Sequence, residues 1–376
     1  MCLLVVAKPT EQMLSRIRML RSFQNVSVEV MSRFGSRHDV LGKLARIRHR
    51  GSVIKLFLKR NQITLIVHEW WDGIAGTNPE EILSFRTRWF ADFPLQLQFV
   101  AKTLRIPVVT LPHGHAMKEL SIGSAHARRV SDANNGRLPF GNRDSFAAYV
   151  VAHRTDFEFL TLRTDMTGEN VRVWGSARFS PRWVASLYST VEPFPGDSNT
   201  RKVLFFLPKW HNMIDRAGTL RLLSALSQVS EIALWVREHP RKSESQLSDD
   251  ERQQLSRMPS VRLIESSVDS ARLILGCDVL VEVESSIVID AVLLGKRVVM
   301  PRYLQDASVV SRLDRTRAVV RTQDLESTLA AVRSNDLPPV PDEEFLVGVA
   351  AQVHADTLAF YDTALCAVQN QRDVSD

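Results

Sequence analysis

Residues 278–301 read DVLVEVESSIVIDAVLLGKRVVMP, and this stretch decides the fold. It contains two valine-rich runs of strand length, at 279–283 and 298–300. The residues between them follow a helical pattern as far as Leu294. A strand, a helix and a second strand in this order form a parallel pair joined by a crossover helix. We therefore predict a parallel sheet with helices packed against it.

The same alternation continues outward from this stretch in both directions. Further strands are predicted at 203–207, 232–237 and 261–264, and in the first half at 3–7, 26–31, 64–68, 108–111, 147–152 and 171–174. A long helical pattern begins after Asn78 and Pro79 and runs towards Leu104, with a break expected at Pro94. Alternating strands and helices are typical of α/β proteins. We predict an α/β fold with two Rossmann-like halves.

The segment 189–201 separates the two halves in this interpretation. It reads STVEPFPGDSNTR, and its prolines, glycine and small polar residues are typical of a linker. We predict an N-terminal domain at 1–190 and a C-terminal domain at 201–340. Residues 341–376 are expected to form an amphipathic helix that packs back across both.

Composition excludes several classes of protein. The 376 residues are 44% hydrophobic and 24% charged, as in an ordinary soluble chain. No apolar run approaches the roughly 18 residues of a membrane span, and the apolar start lacks a basic leader and a cleavage site, so we expect a cytoplasmic protein. Three scattered cysteines predict neither a disulfide framework nor a zinc site.

Positive charge is concentrated in the first half. Residues 1–150 hold 22 Lys or Arg against 11 Asp or Glu, whereas residues 151–376 hold 26 against 31. Between Arg16 and Arg60 twelve basic side chains face only two acidic ones. This segment is either a solvated face of core helices or a surface for an anionic partner. For the second case we predict an anionic membrane surface contacted by residues 16–60, and no nucleic acid.

Polar residues directly after strands are the first candidates for a site, because ligands of parallel sheets bind at the carboxyl ends of the strands. His113 follows one strand and has the pKa range of a general base, although it could equally cap a turn. In the second half, His239 follows another strand and is flanked by Arg237 and Arg241. These three side chains are predicted to bind a phosphate.

Two further phosphate contacts are expected in the second half. Ser285 and Ser286 stand at the start of the helix within 278–301, where free backbone N–H groups favour an anion. The alternative is that the serines serve only as the N-cap of that helix. Lys209 follows the first strand of this half and either reaches the same phosphate or lies on the surface.

The histidine-proline pair at His239 and the serine pair within 278–301 together resemble the donor-binding half of GT-B-type transferases. The resemblance is closest to the CDP-glycerol glycerophosphotransferase-like group and to bacterial sialyl and Kdo transferases. Their first-half signatures resemble three segments here, which are Pro112-His113-Gly114 with Lys118, Trp174–Phe179 with Arg178, and Glu69–Gly73 with Asp72.

The resemblance implies two lobes facing a central cleft, with a nucleotide-activated donor, commonly a cytidine nucleotide, in the C-terminal lobe. Arg178 would face the donor, and the acceptor, a glycan or its lipid-linked precursor, would lie near Glu69, Trp70 and Lys118. The base would be His113 or Asp72. No metal or other cofactor is expected, because the donor-side groups can neutralise the departing phosphate.

Two other classes of function stay open at this point. UDP-N-acetylglucosamine 2-epimerases share the two-lobed architecture and differ from transferases in needing no acceptor. A non-catalytic protein that binds a nucleotide or an anionic glycan is the third possibility.

Overall fold

The structure is a computed structural model of the chain. It describes residues 2–6, 28–32, 50–69, 97, 100–111, 125–138, 146–164, 166–173, 176, 179, 184–185, 188–197, 199–239, 247–283, 285–307, 313 and 316–341. The chain divides into two compact units. The described residues of the first unit lie within Met1–Gly114 and Ser131–Ser180, and those of the second within His115–Val130 and Pro181–Val347.

A parallel sheet of six strands forms the centre of the first unit. The strands are β1 (Cys2–Val6), β2 (Val28–Ser32), β3 (Leu65–Glu69), β4 (Val108–Leu111), β5 (Ala148–Val151) and β6 (Val171–Val173). Their order across the sheet is β2-β1-β3-β4-β5-β6. Helices α1 (Arg50–Arg60) and α3 (Arg154–Arg163) belong to this unit, whereas α2 (Ala125–Ala133) begins in the second unit and has only its last three residues in the first.

The second unit repeats the arrangement. Its strands are β7 (Arg201–Phe206), β8 (Ile232–Arg237), β9 (Val261–Ile264), β10 (Val279–Val281), β11 (Arg297–Pro301) and β12 (Val320–Thr322), in the order β12-β11-β10-β7-β8-β9. The described strands of this sheet all pair with their neighbours in parallel. The helices are α4 (Arg216–Ser227), α5 (Asp249–Ser256), α6 (Ser270–Gly276), α7 (Ile287–Leu293) and α8 (Leu325–Arg333), with short 3-10 turns at Trp210–Asn212 and Arg302–Leu304.

Burial explains why these strands were recognisable in the sequence. Val203, Leu204 and Phe205 of β7 are each 0% exposed, so both faces of this strand are covered. Strands buried on both faces appear as unbroken apolar runs. The predicted α/β class with two Rossmann-like halves is confirmed, and the predicted bounds of β4, β8 and β9 agree with the structure.

The segment predicted as a linker packs against the second unit. Phe194 is buried, its ring meets Trp235 edge-to-face at 5.1 Å, and its N–H donates to the carbonyl of Arg272 at 2.8 Å. A Cβ on Gly276 would lie 2.5 Å from the carbonyl oxygen of Phe194, so this approach requires glycine. Linker-like composition thus surrounds an anchoring aromatic residue, and residues 181–190 group with the second unit rather than the first.

Strand β12 and helix α8 were not predicted from the sequence. Arginines at the starts of β7 and β11 hold the end of α8: Arg201 donates to the Val332 carbonyl at 2.7 Å, and Arg297 to the Ala331 carbonyl at 3.0 Å. Cations at a helix C-terminus satisfy its free carbonyls. The predicted helix at 341–376 and most of the pattern after Pro79 lie outside the described residues. Among the described helices, none is long and apolar enough to cross a bilayer.

Candidate functional site

The strand order locates a binding position in each sheet. In the second unit the chain moves from β7 to β8 and β9, then returns to the other side of β7 to form β10. Such a reversal leaves a crevice at the carboxyl ends of the two strands that flank it, and parallel sheets bind ligands there. Register pairs Val281 of β10 with Phe205 of β7, so the segments that follow these strands start side by side. The candidate donor site therefore lies at residues 207–210 and 282–286.

Ser285 and Ser286 lie in this crevice and are half-buried. Ser286 occupies the N-cap position of α7, but its backbone is already helical, with φ −61° and ψ −20°, and its hydroxyl makes no capping hydrogen bond. The carbonyls of Ser285 and Ser286 accept from Val288 and Ile289 at 3.2 and 3.3 Å. The simple N-cap interpretation therefore does not describe the hydroxyl of Ser286. Helix α7 has only seven residues, so its dipole is a minor part of any phosphate site.

Lys209 is the third residue after the end of β7 and is half-buried. The next residue, Trp210, packs against the core, and the guanidinium of Arg216 stacks over its ring at 5.3 Å. Arg216 also pairs with Glu251 of α5 at 2.6 Å. This chain of contacts fixes the segment that carries Lys209.

A second clip holds the same segment from the other side. Ile214 forms an antiparallel bridge with Gln305, and the N–H of Asp215 donates to the Leu304 carbonyl at 2.7 Å. Met213, which directly precedes Ile214, adopts a left-handed backbone with φ +60°. The loop after β7 is thus joined to the loop after β11, which restricts the positions open to Lys209.

Arg237 does not fill the role predicted for it. The residue is 5% exposed, and its guanidinium donates to the Ser270 hydroxyl and to the Ser266 carbonyl, the latter at 3.1 Å. Burial lowers the pKa of Arg237 from its ordinary value, while the charge of Asp269 acts in the opposite direction. Because Arg237 is the last residue of β8, its side chain still belongs to the pleat and packs inward. The prediction that Arg237 binds phosphate is corrected: the residue ties β8 to the segment before α6.

Glu238 and His239 follow at the tip of β8. The Glu238 carboxylate accepts from the N–H of Leu247 at 2.8 Å and from Arg252 at 2.9 Å. It therefore anchors both ends of the loop that carries His239, which is half-buried. Arg241 lies outside the described residues. Sequence reasoning singled out the histidine and missed the glutamate that anchors its loop.

Two buried acidic residues at the crevice were also missed. Glu282 directly follows β10, Asp290 lies one turn into α7, and each is 2% exposed. A carboxylate inside an otherwise apolar strand-helix stretch was the signal that could have identified them, since acidic residues are rarely buried. Among the described residues, no group of three or more His, Cys, Asp or Glu is placed to hold a metal ion. The expectation that no metal is needed stays a prediction.

The first unit has the corresponding reversal between β1 and β3. Glu69 is the last residue of β3, and its register with Leu111 places the ends of β3 and β4 side by side. The segments that begin there contain four further predicted residues, which are Trp70, Asp72, His113 and Lys118. These four, together with Arg178, lie outside the described residues. The prediction that His113 or Asp72 is the base stays a prediction.

Comparison with known proteins shows the fold. The UDP-GlcNAc 2-epimerase of Neisseria meningitidis bound to UDP-GlcNAc matches with a TM-score of 0.59 at 12% identity, over 96% of this chain and 100% of that one. The UDP-GlcNAc 2-epimerase of Methanocaldococcus jannaschii matches with a TM-score of 0.60 at 12% identity, over 96% and 99%. The wall teichoic acid polymerase TagF matches at 0.49, which is too low to support a shared fold. No protein-family model and no curated protein sequence matches the chain. The fold is GT-B-like, with one Rossmann-type parallel sheet in each unit.

Proposed function

We propose that the protein transfers a glycosyl or polyol-phosphate group from a nucleotide-activated donor, CMP- or CDP-linked, to a bacterial surface polysaccharide or its lipid-linked precursor. The observation that carries the proposal is the reversal of strand order between β7 and β10, because the half-buried Lys209 follows β7 and the half-buried Ser285 and Ser286 follow β10. Hydroxyls and a lysine at this edge of a parallel sheet suit a nucleotide phosphate.

The donor-side residues would hold the phosphate and stabilise it as it departs. Ser285 and Ser286 would donate hydrogen bonds, Lys209 would supply positive charge, and His239 and Arg241 would close over the phosphate from the tip of β8. Such donors act most strongly on the charge that develops during transfer. Arg178 completes the proposed set, whereas Arg237 is excluded by its buried hydrogen bonds.

The acceptor side would lie at the ends of β3 and β4. His113 or Asp72 would remove the proton of the acceptor hydroxyl, whose oxygen then bonds to the transferred group. The bond from that group to the nucleotide breaks, and its electron pair stays on the departing phosphate. Trp70 would stack on a sugar ring, and Glu69 and Lys118 would orient the acceptor. We propose that the protein works in the cytoplasm, at the inner face of the membrane where a lipid-linked acceptor is held.

A second candidate is a UDP-sugar 2-epimerase. It is favoured by the two solved structures above, which have this fold and are named UDP-GlcNAc 2-epimerases, one of them bound to UDP-GlcNAc. An epimerase would use the same nucleotide crevice. It would invert one carbon of the sugar without transferring it.

Acceptor dependence separates the two functions. A thermal-shift panel of CMP, CDP, UDP, GDP and their conjugates first identifies the nucleotide, because a bound ligand stabilises the folded state by mass action. The conjugate that binds is then incubated with the protein, with and without a lipid-linked glycan acceptor. Nucleotide release only with acceptor supports the transferase. Conversion of the sugar without acceptor identifies an epimerase, and binding without either reaction contradicts both.

A further inference from the structure

The outer face of α1 combines an exposed leucine with basic residues. Leu56 is 67% exposed, whereas Ile54 and Leu58, two positions before and after it, are 4% and 0% exposed. Since each helical residue turns by about 100°, Leu56 points directly away from the buried stripe. Lys55, Lys59 and Arg60 are exposed on the same side.

Neighbouring backbone extends this basic surface. Lys102 and Arg105 are exposed and precede β4, as Lys59 and Arg60 precede β3. The N–H of Ile66 donates to the Pro107 carbonyl at 3.0 Å, so the two segments enter adjacent strands side by side. Residues 50–68 and 97–111 contain six Lys or Arg and no Asp or Glu. The α1 face, defined as Lys55, Leu56, Lys59, Arg60, Lys102 and Arg105, therefore presents positive charge with no acidic residue of these segments opposing it.

The favourable interaction of basic residues with a helix C-terminus does not by itself explain the composition of the α1 face. Lysine and arginine in the last turn of a helix favourably oppose its dipole, which accounts for Lys59 and Arg60. Leu56 gains nothing from the dipole and exposes apolar surface to water. Leu162 of α3 is comparably exposed, at 71%, but stands among mixed charges, since Arg154 pairs there with Glu158 at 3.5 Å. Leu56 differs, because the charged residues of the described segments 50–68 and 97–111 are all basic.

We propose that the α1 face docks on an anionic lipid bilayer, with its cations at the headgroups and Leu56 inserted among the acyl chains near the surface. Basic residues that surround an apolar side chain suit the membrane interface, because the cations are attracted to anionic headgroups and the apolar side chain is removed from water. Nucleic acid fits less well, because its phosphates offer no apolar phase to Leu56. The proposal does not depend on the transferase function, since an epimerase could carry the same surface.

Co-sedimentation of the full chain with vesicles tests the proposal. Phosphatidylcholine vesicles with phosphatidylglycerol should bind the protein at low salt, and pure phosphatidylcholine vesicles should not. Neutralising Lys55, Lys59 and Arg60 to glutamine should weaken binding about a hundredfold, at about fivefold per charge. Leu56→Ser should weaken it about threefold to tenfold. The matched control, Leu162→Ser, should leave it unchanged.

The controls keep the outcomes separate. Circular dichroism and the nucleotide-induced thermal shift should be the same in all variants, which distinguishes failure of this proposal from failure of the proposed function. If the triple variant does not fold, Leu56→Ser and a salt series on the wild-type protein test the proposal instead. Binding should weaken as salt is added, because headgroup attraction is screened over about 10 Å at 0.1 M salt. Equal binding to both vesicle types, or full binding by Leu56→Ser, would overturn the proposal. Capture by DNA that Leu56→Ser does not weaken would also overturn it and identify a nucleic-acid surface.

Discussion

At the scale of single residues, strand-tip reasoning located the site but not the direction of each side chain. His239 and Arg237 are two positions apart in the sequence and were assigned together. The structure separates them, because Arg237 still belongs to strand β8 and its side chain is buried, with hydrogen bonds to Ser270 and Ser266. Periodicity predicts where a strand runs, whereas the last residue that remains in the pleat depends on packing against α6. Glu238 was missed because its partners, Leu247 and Arg252, are brought to it only by the fold.

The identity of the base is the first prediction at this scale. His113→Ala and Asp72→Ala should differ, since the true base is expected to lose about 10² to 10⁴ in turnover while donor affinity stays nearly constant. Steady-state rates at saturating donor, with calorimetric donor affinities, make the comparison. The control is His153→Ser: His153 accepts from the Thr155 N–H at 3.1 Å as the N-cap of α3, and serine also caps well. Near-native rates in both alanine variants would exclude both residues as the base.

Glu238 should matter for nucleotide affinity as well as for stability. Glu238→Ala removes contacts to Leu247 and Arg252, frees the loop of His239, and should lower the free energy of unfolding by about 1 to 2 kcal/mol. Nucleotide affinity should fall about fivefold, because the loop must then be ordered by the ligand.

The matched control for Glu238 lies at the amino ends of the strands of the same sheet, directly before β10. Asp278 accepts from the backbone N–H of Lys202 at 2.8 Å and pairs with its ammonium group at 3.3 Å. Asp278→Ala should cost similar stability and leave nucleotide affinity unchanged. Urea unfolding and calorimetry measure both quantities, and equal effects of the two variants on affinity would contradict the role given to Glu238.

At the scale of elements, the sequence predicted the strands whose burial requires a run of apolar residues. Strands covered on both faces, such as β7 and β8, were found because their apolar runs are unbroken. The three residues of β12 are too few and too polar to show a pattern, and the packing of Phe194 on Trp235 joins residues that are distant in the sequence. Contacts of this kind cannot be derived from local composition.

Two glycines in helices should respond to alanine substitution with opposite changes in stability, Gly218 in α4 and Gly51 in α1. Gly218 donates its N–H to the capping carboxylate of Asp215 at 2.9 Å, and a Cβ there would approach that carboxylate and lie 2.9 Å from Leu304. Gly218→Ala should therefore destabilise by about 1 to 2 kcal/mol, through loss of the cap, although alanine normally favours a helix.

Gly51 in α1 is the control for Gly218, because nothing lies within 4 Å of a Cβ built there. Gly51→Ala should stabilise by about 0.5 kcal/mol. Differential scanning calorimetry of both variants checks the two signs. Stabilisation by Gly218→Ala would show that Asp215 does not cap α4 as described.

At the scale of the whole molecule, the sequence predicted two Rossmann-type sheets. The strand order adds a reversal in each sheet, and this reversal locates a candidate site. The order cannot be derived from one sequence, since it depends on which strands pair. In the second unit it makes β7 and β10 neighbours, which Lys209 and the pair Ser285 and Ser286 follow, and in the first unit it sets the ends of β3 and β4 side by side. The central claim is therefore that a nucleotide binds the second unit between β7 and β10.

Calorimetric titration of two serine-pair variants tests this claim most directly. The chain carries Glu-Ser-Ser twice after strands of the second sheet, at 284–286 beside the crevice and at 265–267 after the edge strand β9. Ser285→Ala with Ser286→Ala should weaken binding of the nucleotide by about 2 to 5 kcal/mol, the loss of two hydrogen bonds to a charged group. Ser266→Ala with Ser267→Ala should leave the affinity as in the wild-type protein. Equal affinities in both double variants, with both folded, would contradict the placement of the nucleotide between β7 and β10.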